Sequence, residues 1–118
     1  MAFVGSWVTS TGKAGEFYGA HYYHDQNSGK GSKTATYSIP NSAIGGPYKI
    51  REMHTAVPNW RANNVVFQIF NGLTLAEVTV NQEINGGTWN ELGEYVLHAN
   101  SYVTITTSGT SKHVVADA

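Results

Sequence analysis

Seven short segments rich in β-branched and aromatic residues dominate this chain, and no window of it has a convincing helical period. Each segment is bounded by Gly, Asn, Ser or Pro, which is the pattern of strands separated by turns. An eighth strand is predicted near "SWV" (6–8) or "AHYY" (20–23). The seven segments are "TATYSI" (34–39), "YKIREM" (48–53), "NVVFQIF" (64–70), "AEVTVN" (76–81), "EYVLH" (94–98), "YVTITT" (102–107) and "HVVA" (113–116).

Alternation within these strands and the turns between them indicate how the strands pack. Val103 and Ile105 alternate with threonines, so this strand has one dry face and one wet face. The segment "NVVFQIF" is apolar on both faces, as expected of a central or covered strand. The Asn-Gly pair of "FNGLT" (70–74) predicts a tight hairpin. The sequence therefore predicts an all-β fold, an antiparallel β-sandwich of the jelly-roll type, with about seven or eight strands and no significant helix.

Size and charge narrow the classes of protein further. The 118 residues predict a single β-sandwich domain, residues 1–118, and the seven Lys and Arg are scattered along a chain of net charge −1. A nucleic-acid binder would need nearly all of them on one face, so nucleic acid is not an expected partner. No apolar run reaches the roughly 18 residues of a membrane span, and the N-terminus lacks a signal-peptide pattern. The absence of cysteine excludes disulfides and thiolate metal sites.

The sequence contains eight acidic residues but no recognisable catalytic motif. A glycosidase needs two carboxylates that face one cleft, and a serine nucleophile needs a structured elbow such as G-x-S-x-G. No motif marks such a carboxylate pair, and the elbow is absent, so we predict that the protein is not an enzyme.

Two stretches have the composition of a sugar-binding site, in which a ring stacks on the apolar face of a sugar and polar groups bind its hydroxyls. In "HTAVPNWRANN" (54–64), Pro58 and its neighbour break the strand and place the next residues at an exposed loop tip. The second stretch is "HYYHDQN" (21–27). Ligand contact, a lid over the end of the sandwich and a subunit contact all remain open for the tryptophan of the first stretch. The candidate ligand-binding residues are Trp60, Arg61, Asn59, Tyr22, Tyr23 and His24.

Several motifs occur in a fixed order along the chain. They are "GSW" (5–7), "FYGAHYYHD" (17–25), "GKGSKTATYSIP" (29–40), "GPYKI" (46–50), "NWRANNVVFQI" (59–69), "VTVNQEINGGTWNELGEYVL" (78–97) and "VVADA" (114–118). This order resembles the domain found at the C-terminus of golvesin and of bacterial xanthan lyases, over nearly the whole chain. Its most specific part is V-x-V-N-Q, then G-G-x-W and L-G, and finally V-V-A-D-A.

The resemblance implies a β-sandwich similar to carbohydrate-binding modules. It implies a non-catalytic module that binds polysaccharide or surface glycan through exposed loop aromatics, outside the cell. The chain departs from that setting because it carries no enzyme or signal peptide and stops at Ala118, where relatives usually continue. Two explanations of these departures stay open. The sequence is a module cut from a longer protein, or it is a structural virion surface or decoration protein whose partners are a capsid or other copies of itself.

Related sandwich modules often carry a structural calcium ion, so the resemblance also raises a calcium site. Such a site takes about six to eight oxygen ligands. Asp117, Asp25 and Glu16 are candidate donors, although Asp117 can equally accept backbone hydrogen bonds at the close of the last strand. No other cofactor is expected.

The segment "NQEINGGTWNELGEYVL" (81–97) holds a third tryptophan beside a double glycine. Asn85, Gly86 and Gly87 favour a tight reversal of the chain. Trp89 belongs to the most family-wide part of the pattern, so we predict that it points into the core. Truncating a core ring of this size would cost about 3–5 kcal/mol.

Overall fold

The computed structural model describes residues 1–118 and consists mainly of short β-strands and the loops between them. Both candidate regions for an eighth strand are occupied, by β2 and β3, and a further strand, β1, precedes them. A single short 3-10 turn, Asn41–Ala43, lies between β4 and β5, and no helix is long and apolar enough to cross a membrane. The strands are β1 Ala2–Val4, β2 Val8–Ser10, β3 Tyr22–His24, β4 Thr34–Ser38, β5 Pro47–Glu52, β6 Val65–Phe70, β7 Leu75–Val80, β8 Asn90–Val96, β9 Tyr102–Thr106 and β10 Val115–Ala116.

One layer of the fold is a five-stranded antiparallel sheet of order β1-β4-β9-β6-β7. Strand β6 alternates strictly between buried and half-buried residues, and its register places Phe67 opposite Ile105 and Ile69 opposite Val103. These β-branched and aromatic side chains share one face of the sheet because strand side chains alternate with a period of two. The Asn71-Gly72 hairpin joins β6 to β7, as the sequence predicts.

The opposite layer contains a three-stranded sheet, β10-β3-β2, and a two-stranded sheet, β5-β8. They are joined where Met53 N–H donates to the Ala118 carbonyl (2.7 Å) and Ala118 N–H donates back to Met53 (3.4 Å). The combined order is β2-β3-β10-β5-β8, so β4-β9-β6-β7 faces β3-β10-β5-β8. From β3 to β10, successive strands cross between the layers except at the β6–β7 hairpin, which is the connectivity of a jelly roll, while β2 pairs with β3 within one layer. The predicted antiparallel β-sandwich is confirmed.

The core lies between the two layers and contains ten buried apolar side chains. Six belong to the five-stranded sheet. Leu92 and Ala116 belong to strands of the opposite layer, Val114 directly precedes β10, and Ala62 lies in the β5–β6 loop. Close packing of such side chains is the main source of stability in a domain without disulfides. The full set is Ala35, Ala62, Val65, Phe67, Ile69, Leu92, Val103, Ile105, Val114 and Ala116.

Four loops meet at one end of the sandwich and are joined by backbone and side-chain hydrogen bonds. Ala62 N–H donates to the His113 carbonyl (2.8 Å), and Gln82 N–H donates to Ala62 (3.0 Å). The side-chain amide of Asn64 donates to Gly109 (3.0 Å). The β5–β6, β7–β8 and β9–β10 loops therefore form one connected surface, and Asp25 adds the β3–β4 loop to it.

The prediction that Trp89 lies in the core is wrong, because its side chain is 50% exposed. The alternation of β8 explains the error. Leu92 is buried, and Asn90, two residues earlier, hydrogen-bonds to the buried Glu52. Strand side chains alternate between the two faces, so Trp89, the residue before Asn90, points outward. Trp89 packs against Tyr18 on the surface instead, with ring centroids 5.7 Å apart.

The glycines before Trp89 are required by close packing as well as by the turn. A Cβ at Gly86 would lie 2.7 Å from Ala56 N and in collision with the Glu16 carboxylate. We expect Gly86→Ala to lower the free energy of unfolding by about 1–3 kcal/mol, because an added methyl group forces the backbone apart. Urea denaturation should show this loss, with Gly12→Ala as the control, since a Cβ there meets only ordinary contacts at 3.5 Å. Equal midpoints for the two variants would contradict the close approach.

Candidate functional site

Trp60 is a large aromatic side chain in the β5–β6 loop at this end of the sandwich, and it is 63% exposed. It lies in a turn closed by hydrogen bonds from Trp60 N–H and Arg61 N–H to the Val57 carbonyl, at 3.2 and 3.0 Å. Asn59 adopts a left-handed φ of 65° within this turn. Asparagine tolerates that conformation better than most residues, so the turn can present the next side chain outward.

The Trp60 loop is held by the neighbouring β9–β10 loop. His113 N–H donates to the Trp60 carbonyl at 3.1 Å, and the two rings lie 6.1 Å apart with an interplanar angle of 38°. Asn59 N–H donates to the carboxylate of Glu83 from the β7–β8 loop. Hydrogen bonds from two neighbouring loops thus fix the backbone of the turn that carries the exposed indole.

An open recess of about 250 Å³ lies beside the indole, lined by Asn27, Asn59, Trp60, Lys112 and His113. Two side-chain amides, an imidazole and an ammonium group therefore surround one aromatic ring. Lys112 makes no ion pair within the chain. A flat apolar ring bordered by hydrogen-bonding groups matches the apolar face and polar rim of a sugar.

Asp25 supports the recess from beneath and is completely buried. One carboxylate oxygen accepts hydrogen bonds from the backbone N–H groups of Asn27 and Val114, both at 2.9 Å. The other accepts from Lys30 Nζ at 2.6 Å, and the same ammonium group donates to the Lys112 carbonyl. This network connects the β3–β4 loop with the β9–β10 loop, and so connects the two loops that supply Asn27 and Lys112.

The prediction that Arg61 is exposed beside Trp60 is wrong. Its side chain is 8% exposed and points back into the protein, where the guanidinium donates to the hydroxyls of Tyr22 (3.0 Å) and Thr55 (3.3 Å). The side chains of these two neighbouring residues point in opposite directions: Trp60 points to solvent and Arg61 points into the protein. Tyr22 is buried as its partner, which also corrects the expected exposure of Tyr22.

Tyr23 and His24 are half-buried supports of the site. Tyr23 packs against Phe3, with ring centroids 4.6 Å apart. His24 Nδ1 accepts the backbone N–H of Gln26 at 3.1 Å, and its ring packs against His113 at 5.4 Å. Burial, together with the nearby His113 and Arg61, lowers the pKa of His24. Of the six predicted residues, the structure places Asn59 and Trp60 on the recess and the other four behind or beside it.

Sequence reasoning missed Lys112 and His113, whereas Asn27 ends the second predicted stretch, "HYYHDQN" (21–27), without being one of the named candidates. No local pattern distinguishes Lys112 and His113 from other polar loop residues, and all three residues lie about 33 or more positions from Trp60 along the chain. The one usable signal is topological. The β3–β4, β5–β6 and β9–β10 connections of a jelly roll lie at the same end, so polar residues in these loops become neighbours.

The three candidate calcium donors each bind protein groups. Asp25 accepts the hydrogen bonds described above, and Glu16 accepts Ala56 N–H (3.0 Å) and pairs with Lys13 (3.1 Å). Both oxygens of Asp117 accept Tyr18 N–H, at 3.2 and 3.0 Å, while burial raises the pKa of Asp117 to about 6. The structure contains no group of three or more His, Asp or Glu side chains placed to hold a metal ion.

A second cavity, of about 270 Å³, lies between the two layers. Its walls are mainly apolar, with Ile39, Ile50, Phe67 and Leu97 among them, and the buried Tyr37 hydroxyl has no hydrogen-bond partner. A sugar ring has hydroxyl groups around its whole edge, and this cavity offers too few polar partners for them. The loop-end recess is therefore the better site for such a ligand.

Comparison with known proteins agrees with the fold and with the motif order. The sequence model of the Golvesin C-terminal domain family matches residues 1–118. A xanthan lyase of Bacillus sp. (strain GL1) is 34% identical over 120 residues, which cover 98% of this chain and 13% of that protein. The solved structure of a Paenibacillus xanthan lyase superposes with a TM-score of 0.89 and 39% identity, covering 98% of this chain and 11% of that one. The resemblance found in the sequence is thereby confirmed, and the chain belongs to the Golvesin C-terminal domain family.

Proposed function

We propose that this domain is a non-catalytic module that binds polysaccharide through the Trp60 recess. The observation that carries the proposal is an indole that is 63% exposed although its backbone is hydrogen-bonded to a neighbouring loop. An exposed aromatic ring on an ordered loop lacks the favourable free energy of burial. Stacking against a sugar would bury the ring and recover part of that free energy. Asn27, Asn59 and Lys112 supply hydrogen-bond donors and acceptors around the ring.

The relatives support the same class of ligand. Both matched proteins are xanthan lyases, and this chain spans 13% and 11% of their respective lengths. A segment that small is better suited to an accessory role than to the whole activity of a lyase. We therefore extend the proposal to an extracellular polysaccharide, with xanthan as the first one to test.

The chemistry of the recess favours binding over catalysis. Its lining contains no carboxylate, so an acid and base pair of the glycosidase type is missing there. Two carboxylates bind the backbone of recess residues, and both are engaged: Glu83 accepts the Asn59 N–H, and Asp25 accepts the Asn27 N–H. Neither relative is a virion protein, and no feature of the structure favours the decoration-protein hypothesis.

We expect Trp60→Ala to weaken polysaccharide binding about tenfold or more, because truncating a central aromatic contact typically costs more than 1.4 kcal/mol. Affinity electrophoresis in gels that contain xanthan measures this as a loss of retardation. Trp60→Phe keeps an aromatic face and should bind with intermediate affinity.

Leu73→Ala is the surface control, because Leu73 is exposed at the β6–β7 hairpin and away from the recess. It should migrate like the wild type. Wild-type retardation of Trp60→Ala would exclude the recess as the binding site. If neither xanthan nor a panel of neutral and acidic polysaccharides slows the wild type, the proposed function itself is wrong.

A further inference from the structure

We propose that Trp89 and Tyr18 form a second sugar-binding surface on the same module, an inference that rests on the proposed function. Their side chains are 50% and 64% exposed. The ring centroids lie 5.7 Å apart and the planes are tilted by 56°. Two rings at this angle form an open aromatic corner, which can contact one face and one edge of a sugar ring.

The backbone of the β2–β3 loop is hydrogen-bonded at Tyr18, and the loop is held again at Glu16. The Asp117 carboxylate accepts the Tyr18 N–H with both oxygens, at 3.2 and 3.0 Å. Glu16, two residues earlier, accepts the backbone N–H of Ala56 at 3.0 Å. The loop that carries the phenol ring is therefore tied to the residue after the last strand and to the segment that follows β5.

Trp89 is held equally firmly at the end of the β7–β8 loop. Gly87 N–H donates to the His54 carbonyl at 3.0 Å, and His54 Nε2 donates to the Ile84 carbonyl at 2.8 Å. Asn90, the next residue, donates through its side chain to the carboxylate of the buried Glu52. The backbone that carries each ring is thus anchored, so binding loses little loop entropy.

The polar groups of the two rings are available for a ligand. Neither the Trp89 indole N–H nor the Tyr18 hydroxyl takes part in a hydrogen bond within the chain, whereas the indole N–H of Trp7 does, donating to Val4 at 3.2 Å. The ion pair between Lys13 and Glu16 adds charged groups on the loop that carries Tyr18. Stacking faces beside free donors and acceptors suit a sugar.

The size of the surface also favours a sugar over a protein partner. An aromatic side chain buries about 150–250 Å², so two rings provide roughly 300–500 Å² at most. Stable protein interfaces bury about 1,200–2,000 Å² in total. A sugar unit of a polysaccharide needs only the smaller area, since further units can bind elsewhere on the same chain.

The second surface shares no residue with the Trp60 recess, yet the β7–β8 loop contributes to both. Glu83, near its start, binds Asn59, and Trp89 ends it. A polymer long enough to reach both surfaces would bind more tightly than either surface alone allows, because the second contact becomes intramolecular.

The test compares the wild type with Trp89→Ala, Trp60→Ala and the double variant on xanthan and on short fragments of it. We expect each single variant to bind the polymer about tenfold more weakly and the double variant to lose detectable binding. Calorimetry with fragments should give two sites for the wild type and one for each single variant. Tyr18→Ser, which alters the exposed partner ring, serves as a second variant if Trp89→Ala proves unstable.

Each outcome distinguishes this inference from the proposed function. If Trp60→Ala is impaired while Trp89→Ala and Tyr18→Ser bind like the wild type, the second surface is wrong and the recess stands. If the wild type binds no polysaccharide, both proposals fail. If light scattering shows wild-type oligomers that Trp89→Ala dissociates without a change in sugar affinity, the surface is a contact between copies, which also overturns the inference.

Discussion

Asp25→Ala is expected to lower the free energy of unfolding by about 3–5 kcal/mol, because it leaves a buried cation and a buried N–H group without their partner. Asp25 is completely buried and accepts hydrogen bonds from Asn27, Val114 and Lys30. Removing it leaves the mostly buried Lys30 ammonium without its carboxylate. Urea denaturation monitored by tryptophan fluorescence measures the loss.

The control is Glu77→Ala, which removes an exposed carboxylate whose only partner is the half-buried Gln68 side chain. Exposed substitutions of this kind usually change stability by about 0.5 kcal/mol or less. Equal stabilities for Asp25→Ala and Glu77→Ala would contradict the structural role of Asp25. Addition of EDTA to the wild type tests the calcium hypothesis separately, because a metal at Asp25 would make the chelator as destabilising as the substitution.

Glu52→Ala is expected to cost a similar amount, about 3–5 kcal/mol near pH 6, because it breaks an ion pair that is almost completely buried. His54 Nδ1 lies 2.9 Å from both oxygens of Glu52, while Nε2 lies 2.8 Å from the Ile84 carbonyl. With Glu52 ionised, both ring nitrogens face acceptors, and this arrangement favours the doubly protonated imidazolium. Thermal and urea denaturation of the variant at pH 6 check this expectation, and a loss below about 1 kcal/mol would contradict it.

The same pair makes stability depend on pH. Burial opposes the charge on His54, but the hydrogen bond and charge of Glu52 outweigh it and raise the pKa of the imidazole above its usual 6.5. A raised pKa means that the folded state holds the proton more tightly than the unfolded chain. The contribution of His54 is therefore fully present below pH 6.5 and is lost as the pH rises through the folded-state pKa.

Asp117 changes stability in the same direction but at lower pH. Burial raises its pKa from 3.8 to about 6, so its contribution is present below 3.8 and is lost by about pH 6. A titration of wild-type stability above pH 6.5 therefore reports mainly on His54. His54→Leu should flatten that part of the profile, whereas Asp117→Asn should leave it unchanged.

The two predicted losses of stability, for Asp25→Ala and Glu52→Ala, both concern hydrogen-bond networks that anchor the loops of the candidate binding surfaces. Asp25 binds the loop that carries Lys112 and His113, and His54 binds the loop that carries Trp89. Sugar binding by exposed rings depends on fixed loops, because mobile loops would lose entropy on binding. The stability of these buried polar networks and the affinity of the surfaces should therefore fall together in partially destabilised variants.

The alternation of apolar and polar residues was enough to predict most strands and the jelly roll. Val103 and Ile105 face the core as expected, and the Asn71-Gly72 turn forms the predicted hairpin. Such features depend on neighbours close in the chain, so the local pattern contains the necessary information. The prediction that Thr104 faces water is wrong, because it is buried and shares a hydrogen bond of 2.8 Å with Thr36 on the next strand.

Side-chain direction in the loops was harder to predict, and the three residues Trp60, Arg61 and Trp89 illustrate why. Adjacent loop residues point in different directions, and which one is buried depends on a partner far away in sequence. Arg61 is buried because Tyr22 offers a hydroxyl at 3.0 Å, and that leaves Trp60 outside. Trp89 is outside because Asn90 is held inward by Glu52.

The sequence by itself determined most of the strands, the all-β class and the family, because each follows from local periodicity, turn residues or motif order. Only the tertiary structure decided that Asn27 and Lys112 join Trp60 in one recess, and that Trp89 meets Tyr18 on the surface. These contacts connect loops that are distant in the chain, and they exist only once the two layers have packed and their hydrogen-bonded loops have taken one arrangement.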